Sequence, residues 1–151
     1  MSEKVYIGCD PGASGGFVVL DEAGKVLEVF KTPDTRKGFQ EKLGVYTGTQ
    51  CFCLLEKVWS RPHIGGKANF TFGVNVERLL YTLELCKIPH QEVTPQSWMK
   101  SYMMKKENTE SGTQWKNRLK AKAQQLFPEQ NITLWNSDSF LIAEYTRRNF
   151  K

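Results

Sequence analysis

The chain opens on Val5-Tyr6-Ile7-Gly8-Cys9-Asp10-Pro11-Gly12-Ala13-Ser14-Gly15-Gly16-Phe17-Val18-Val19-Leu20, two apolar runs broken by an acidic, glycine-rich turn. Val5–Cys9 reads as one strand and Gly16–Leu20 as a second. Asp21-Glu22-Ala23-Gly24 has hairpin-turn chemistry, and Lys25–Phe30 reads as a third strand. Turns this tight favour antiparallel pairing. Thr32–Gly48 is polar, with a helix candidate at Gly38–Leu43.

Further along, Gln50–Leu55 is almost continuously apolar and ends at Glu56, the pattern of a strand buried on both faces. Ser60–Lys67 carries Pro62, Gly65 and Gly66 and reads as a loop. Val76, Leu79, Leu80, Leu83 and Cys86 recur at helical spacing and stop before Pro89. His90–Val93 is a short strand. Thr94-Pro95 places a capping hydroxyl before a proline at the first helical position, so a helix follows through Trp98 toward Met104. Lys105–Thr113 is polar loop. Gln114–Phe127 aligns Trp115, Leu119, Ala123 and Leu126 on one face and meets Pro128. Asn136-Ser137-Asp138-Ser139 is capping chemistry before a last helix, Ser139–Arg148. Strands that begin antiparallel and then alternate with helices predict an α/β fold, a mixed sheet covered on both faces.

The length of 151 residues suits one domain, 1–151. With 40% apolar and 25% charged residues, the composition is that of a globular domain. No apolar run approaches the roughly 20 residues of a membrane-spanning helix. Met1-Ser2-Glu3-Lys4 leads straight into the first strand without leader character, so the cytoplasm is the expected compartment. The net charge of +5 is unevenly placed, with 7 basic and 2 acidic residues in the segment 97–122. That bias suits a polyanionic partner, nucleic acid foremost, although a solvated helical face would carry it too. Cys9, Cys51, Cys53 and Cys86 form no C-x-x-C pair, and neither His63 nor His90 stands at ligand spacing. The cysteines read as small buried hydrophobes, not a zinc site.

Asp10 and Glu56 each follow a buried strand immediately. If those strands are parallel neighbours, both carboxylates lie at the carboxyl edge, where open α/β sheets place their sites. Two acids so placed repel unless a cation sits between them, and oxygen donors suit Mg²⁺ or Mn²⁺. Taken singly, Asp10 is also good turn chemistry and Glu56 a common strand end. Asp138, in the first turn of the last helix, serves the helix dipole equally well as a metal. Gly12, Gly15 and Gly16 could cradle a phosphate, but no Lys-Ser/Thr and no helix follow, so the run is not a Walker motif.

These segments resemble the RuvC-type Holliday junction resolvases. Val5–Leu20 resembles their first motif, and Leu54-Leu55-Glu56-Lys57-Val58 their second. Asn136-Ser137-Asp138-Ser139-Phe140-Leu141-Ile142-Ala143-Glu144-Tyr145 is similar to their last. Leu126-Phe127-Pro128 fits the phage and organellar branch. The resemblance implies an RNase H-like fold, three layers α/β/α with a mixed five-stranded sheet. It also implies a homodimer, and metal-dependent paired nicking of four-way DNA junctions. Asp10, Glu56 and Asp138 would then hold two Mg²⁺ ions, with Mn²⁺ substituting. Lys116, near the start of the penultimate helix, would be the catalytic lysine. Family members often carry a further ligand three residues before the last acid, and here that position is Trp135.

The same resemblance places DNA contacts after Glu56, where aromatic and basic residues interleave: Trp59, Arg61, Lys67 and Phe70, with His63 and Phe72 nearby. Lys100, Lys105, Lys106, Arg118, Lys120 and Lys122 would hold phosphates. Two other readings share the fold: a broader branched-DNA or RNA nuclease, and a catalytically inactive junction-binding protein. A sugar-kinase or actin-type ATPase also begins with Asp-x-Gly after a strand, but 151 residues leave no second lobe to close over a nucleotide.

Overall fold

The computed structural model describes residues 4–59 and 62–150. Five strands, β1 (Val5–Cys9), β2 (Gly16–Asp21), β3 (Val26–Lys31), β4 (Cys51–Glu56) and β5 (His90–Val93), form one sheet in the order β3-β2-β1-β4-β5. The β1–β2 and β2–β3 pairs are antiparallel, whereas β4 and β5 run parallel to β1. The expected mixed sheet is therefore present, and its turns explain it. Gly24 closes the β2–β3 hairpin at φ 86°, a conformation glycine adopts without penalty. The parallel pairings instead need crossovers, supplied by α1 (Arg36–Leu43) and α2 (Gly66–Leu85).

The strands sort their side chains by parity. Ile7, Cys9, Phe17, Val19, Cys53 and Leu55 face one way, packing with Phe39 and Leu43 of α1 and Leu79 and Leu83 of α2. Val18, Leu20 and Leu54 face the other, under α3 (Pro95–Ser101), α4 (Gly112–Leu126) and α5 (Ser137–Asn149). Three layers result, in the RNase H-like arrangement. The cysteines are all free and buried, as the sequence predicts. Burial pushes the Cys51 thiol up to about 12. No helix among the described residues is long and apolar enough to cross a membrane.

Several boundaries differ from the sequence expectations. Helix α2 starts at Gly66, ten residues before the periodic run that begins at Val76, so Lys67 lies on a helix and not in a loop, and Phe70 and Phe72 lie on the same helix. Periodicity missed its first turns because nothing there is buried; Leu79, Thr82 and Leu83 are the buried residues of this helix. Helix α1 begins two residues earlier than expected, where Thr35 Oγ accepts from the Gly38 amide. Helix α4 begins at Gly112 because Ser111 and Gln114 form a reciprocal capping box. Helix α3 stops at Ser101, short of Met104. Helix α5 starts at Ser137. Asn136 occupies its N-cap without capping it, since its side chain accepts from the Thr133 amide instead.

Candidate active site

Register places the first two acids. Cys9 pairs with Leu55 in the parallel β1–β4 ladder, so Asp10 and Glu56 are the next residues at the carboxyl edge of neighbouring central strands. The buried Cys9 thiol feels both: burial raises its pKa well above the ordinary value, and the charges of Cys53, Asp10 and Glu56 raise it further. By parity, Glu56 continues the Leu54 face, the side covered by α3 and α5.

Asp138 arrives by docking. Helix α5 packs on β1, β2 and β4 and buries eight of its thirteen residues. It lies against β1 at Gly8, where a Cβ would stand 2.1 Å from the Ala143 nitrogen and 2.5 Å from the Ser139 carbonyl oxygen. Glycine is required there because backbone meets backbone. One further contact sets the helix along the strand. The Ser139 hydroxyl donates to the Gly16 carbonyl at 2.6 Å, and that same carbonyl accepts the Asp10 amide at 3.0 Å. Gly15 lets the turn fold over Asp10: a Cβ on it would lie 2.3 Å from the Asp10 carbonyl oxygen. The Gly12 amide donates to Asp10 Oδ1, and Thr32 Oγ1 to the Asp10 carbonyl.

Asp10 and Asp138 therefore face each other electrostatically. Burial, and then the Asp10 charge, push the Asp138 carboxyl up from 3.8 to about 6, against the opposing pull of Lys116 and a hydrogen bond with Ser137. Of the basic candidates, Lys116 is the one whose charge reaches Asp138. Glu56 is held differently. Its Oε2 accepts the indole Nε1–H of Trp98 at 2.8 Å, and Trp98 is fully buried beneath the helical layer. The sequence marked Trp98 only as a helical residue. The one legible signal was its place one turn after β5, which brings α3 alongside the end of β4.

Donor chemistry suits a hard divalent cation: three carboxylates, with that of Asp138 raised by burial and by the Asp10 charge. Among the described residues, however, no three acidic, His or Cys side chains are gathered closely enough to form a ready cage. Asp10 and Asp138 are coupled, while Glu56 is drawn toward Trp98. Trp135, at the position where a fourth ligand is expected by resemblance, packs its ring against Gly16 and stacks under Lys31 Nζ at 5.5 Å. It serves the β2–β3 end of the sheet.

The remaining candidates divide. Trp59 is exposed beside Lys57, whose Nζ lies 4.6 Å from its ring centroid. Phe70 is 74% exposed on α2. That helix, about 30 Å long over 20 residues, outruns a six-residue strand of about 20 Å. Lys67, Lys100, Lys105 and Lys106 are exposed, while Lys120 and Lys122 are partly covered. Arg118 is engaged within the chain: it pairs with Glu110 at 2.9 Å, donates to the Lys105 carbonyl and stacks on Trp115. Its structural task is to pin the 103–110 segment to α4. Arg61 lies outside the described residues.

No family model matches this chain, and no curated protein matches it. Solved structures do, two of RuvC among them. T. thermophilus RuvC in complex with Holliday junction substrate superposes with a TM-score of 0.67, covering 96% of this chain and 95% of that one at 14% identity. The Thermus thermophilus RuvC structure gives a TM-score of 0.64 at 15% identity, covering 95% of each chain. The fold is RuvC-like.

Proposed function

We propose that this chain is a structure-selective endodeoxyribonuclease that resolves four-way DNA junctions by metal-dependent paired nicking. The observation that carries the reading is the shared Gly16 carbonyl, which accepts both the Asp10 amide and the Ser139 hydroxyl and so seats the first turn of α5, with Asp138, at the sheet edge that carries Asp10. Asp10 and Asp138 come from opposite ends of the chain, and docking α5 there brings an acid into an acid's field. The RuvC-like fold over nearly the whole of both chains, in one case with a Holliday junction bound, supports the substrate class.

Asp10, Glu56 and Asp138 would hold Mg²⁺, with Mn²⁺ as substitute. Bound there, divalent ions would supply an activated water and charge stabilisation for the leaving 3′-oxygen. The chain does the rest. Gly15 and Gly16 shape the turn around Asp10, and Ser139 fixes the depth of α5 and hence of Asp138. Trp98 orients one Glu56 oxygen by donating its indole N–H. Lys116 faces the charge that develops on the scissile phosphate. Trp59, Lys67 and Phe70, together with Arg61, would meet DNA at the overhanging start of α2. Lys100, Lys105, Lys106, Lys120 and Lys122 would meet phosphates on the opposite flank, with Arg118 bracing them.

Paired incision needs two sites, hence a homodimer. The surface we assign to the second copy is the groove of about 1200 Å³ between α1 and α2, where Tyr81 and Leu85 stand exposed. The Leu-Phe-Pro and Ile-Ala-Glu-Tyr stretches align the chain with the phage and organellar branch in this reading. A second reading is a junction-binding protein without activity, given that no ready cage is gathered among the described residues.

The test is a denaturing-gel assay of a synthetic four-way junction and a matched linear duplex, each in Mg²⁺ and in EDTA, with Asp10→Asn as control. Paired nicks in the junction alone, lost in EDTA and in the variant, are the expected result. Equal cutting of the duplex would make it a broader nuclease. A shifted but uncut junction would leave only a binding protein.

A further inference from the structure

Helix α3 ends in an arrangement that the proposed chemistry does not use. Met103 has φ 56°, in the left-handed region that glycine adopts freely and other residues at a cost. Its position is the one where glycine commonly ends a helix. The turn around it is fully bonded: the Met103 amide donates to the Lys100 carbonyl at 2.9 Å and the Met104 amide to the Met99 carbonyl at 3.1 Å. Its neighbours anchor it from below. Tyr102 is buried and donates to the Leu141 carbonyl, one turn along α5 from Asp138, and Met104 packs against the core. Met103 itself points away from all of this and is 95% exposed, the highest value among the exposed large apolar residues described.

A rigid turn thus holds an apolar tip out into solvent, in a conformation that its own side chain disfavours. Exposed cations flank the tip in sequence, Lys106 among them within the field of Glu110. Lys100 precedes it by one turn, Lys105 and Lys106 follow, and no acid lies between 99 and 106. The Lys105 carbonyl is in turn held by Arg118, half a turn from Lys116 on α4. The tip therefore belongs to the helical layer that carries Asp138 and Lys116. Positive charge around an exposed apolar point matches a nucleic-acid backbone flanking a base step, where methionine is among the residues that wedge.

We propose that Met103 is a DNA-unstacking element, inserted at a base step of a junction arm while Lys100, Lys105 and Lys106 hold the adjoining phosphates. It is a positioning residue, distinct from the aromatic residues on the α2 side. The proposal rests on the junction-binding reading above.

The experiment uses the full chain and a synthetic four-way junction with 2-aminopurine placed at successive steps along the arms, in EDTA. Met103→Gly suits the left-handed turn, so its melting temperature should match or exceed that of the unsubstituted protein. Its junction affinity should fall about tenfold, the worth of burying one such side chain, and the 2-aminopurine brightening at one arm step should vanish. Met103→Leu should restore both. Lys105→Ala with Lys106→Ala should instead flatten the salt dependence of binding and leave the brightening at saturation intact. Junction binding and brightening by Met103→Gly within twofold of the unsubstituted protein would overturn this proposal alone. Failure of the unsubstituted protein to bind the junction would overturn the reading beneath it as well.

Discussion

Gly8→Ala adds one methyl group at the point where α5 rests on β1. That methyl carbon would stand 2.1 Å from the Ala143 nitrogen, 2.6 Å from its Cα and 2.5 Å from the Ser139 carbonyl oxygen, against an ordinary contact of 3.4–4 Å. All three are backbone atoms, so no rotamer change relieves the clash. The helix must retreat by about 1.3 Å to restore contact distance. The Ser139 hydroxyl, now 2.6 Å from the Gly16 carbonyl, is then carried out of hydrogen-bonding range. Overpacking of this kind costs about 3 kcal/mol and the lost bond about 1 kcal/mol more. For a domain of this size, about 4 kcal/mol corresponds to a fall of roughly 10 °C in melting temperature. Asp138 moves with the helix, so junction cleavage should fall further than stability does. Thermal unfolding followed by circular dichroism reads the first effect and the gel assay the second. Gly44→Ala is the control. Its φ of −60° suits alanine and nothing lies within 4 Å, so it should be neutral or stabilising by up to about 1 kcal/mol. A Gly8→Ala protein melting within 2 °C of the unsubstituted one would refute the seating of α5 on β1, and with it the placement of Asp138.

Trp98→Phe keeps most of the buried ring but removes the donor to Glu56 Oε2. It should cost about 1–2 kcal/mol in urea unfolding and weaken Mg²⁺ dependence of cleavage more than junction binding. Asp138→Asn should abolish cleavage yet raise stability in EDTA at pH 8 by about 1–3 kcal/mol, because it removes a carboxylate that burial and Asp10 disfavour. The sign follows from the raised pKa: the native state holds that proton more tightly, so the penalty is present above about pH 6 and disappears as pH falls toward 4. Melting curves at the two pH values check it. Glu144 has the opposite sign. Burial alone would raise its carboxyl, but hydrogen bonds and charge from Arg147 and Arg148 outweigh it and hold it below 4.5. Its stabilising contribution is complete above the ordinary carboxylate range and is lost as pH falls below it, so Glu144→Gln should destabilise the protein at pH 7 and much less at pH 3.

Short-range chemistry was written plainly in the sequence. Two apolar runs around Asp10-Pro11-Gly12, an apolar run closing on Glu56 and Thr94-Pro95 before Trp98 predict strands and helices where they occur, because turn closure, capping and side-chain alternation depend on neighbours a few residues apart. The strand ends at Asp10 and Glu56 were legible for the same reason. What those rules do not reach is the meeting of distant segments. That Asp138 faces Asp10 depends on Gly8 admitting α5 and on the Gly16 carbonyl serving both Ser139 and Asp10, contacts between the two ends of the chain. That Trp98 holds Glu56 depends on α3 turning back alongside the parallel strands. Arg118 looked like one more exposed cation until Glu110 and the Lys105 carbonyl closed around it. The early turns of α2 escaped notice because periodicity records burial, and these turns bury nothing. Met103 reads in sequence as an ordinary apolar residue, and its significance lies in a backbone angle and an exposure that only packing decides. Local pattern determines which residues stand at the ends of elements; the tertiary structure decides which of those ends share an edge, because that choice is made by backbone contacts between segments with no signal in common.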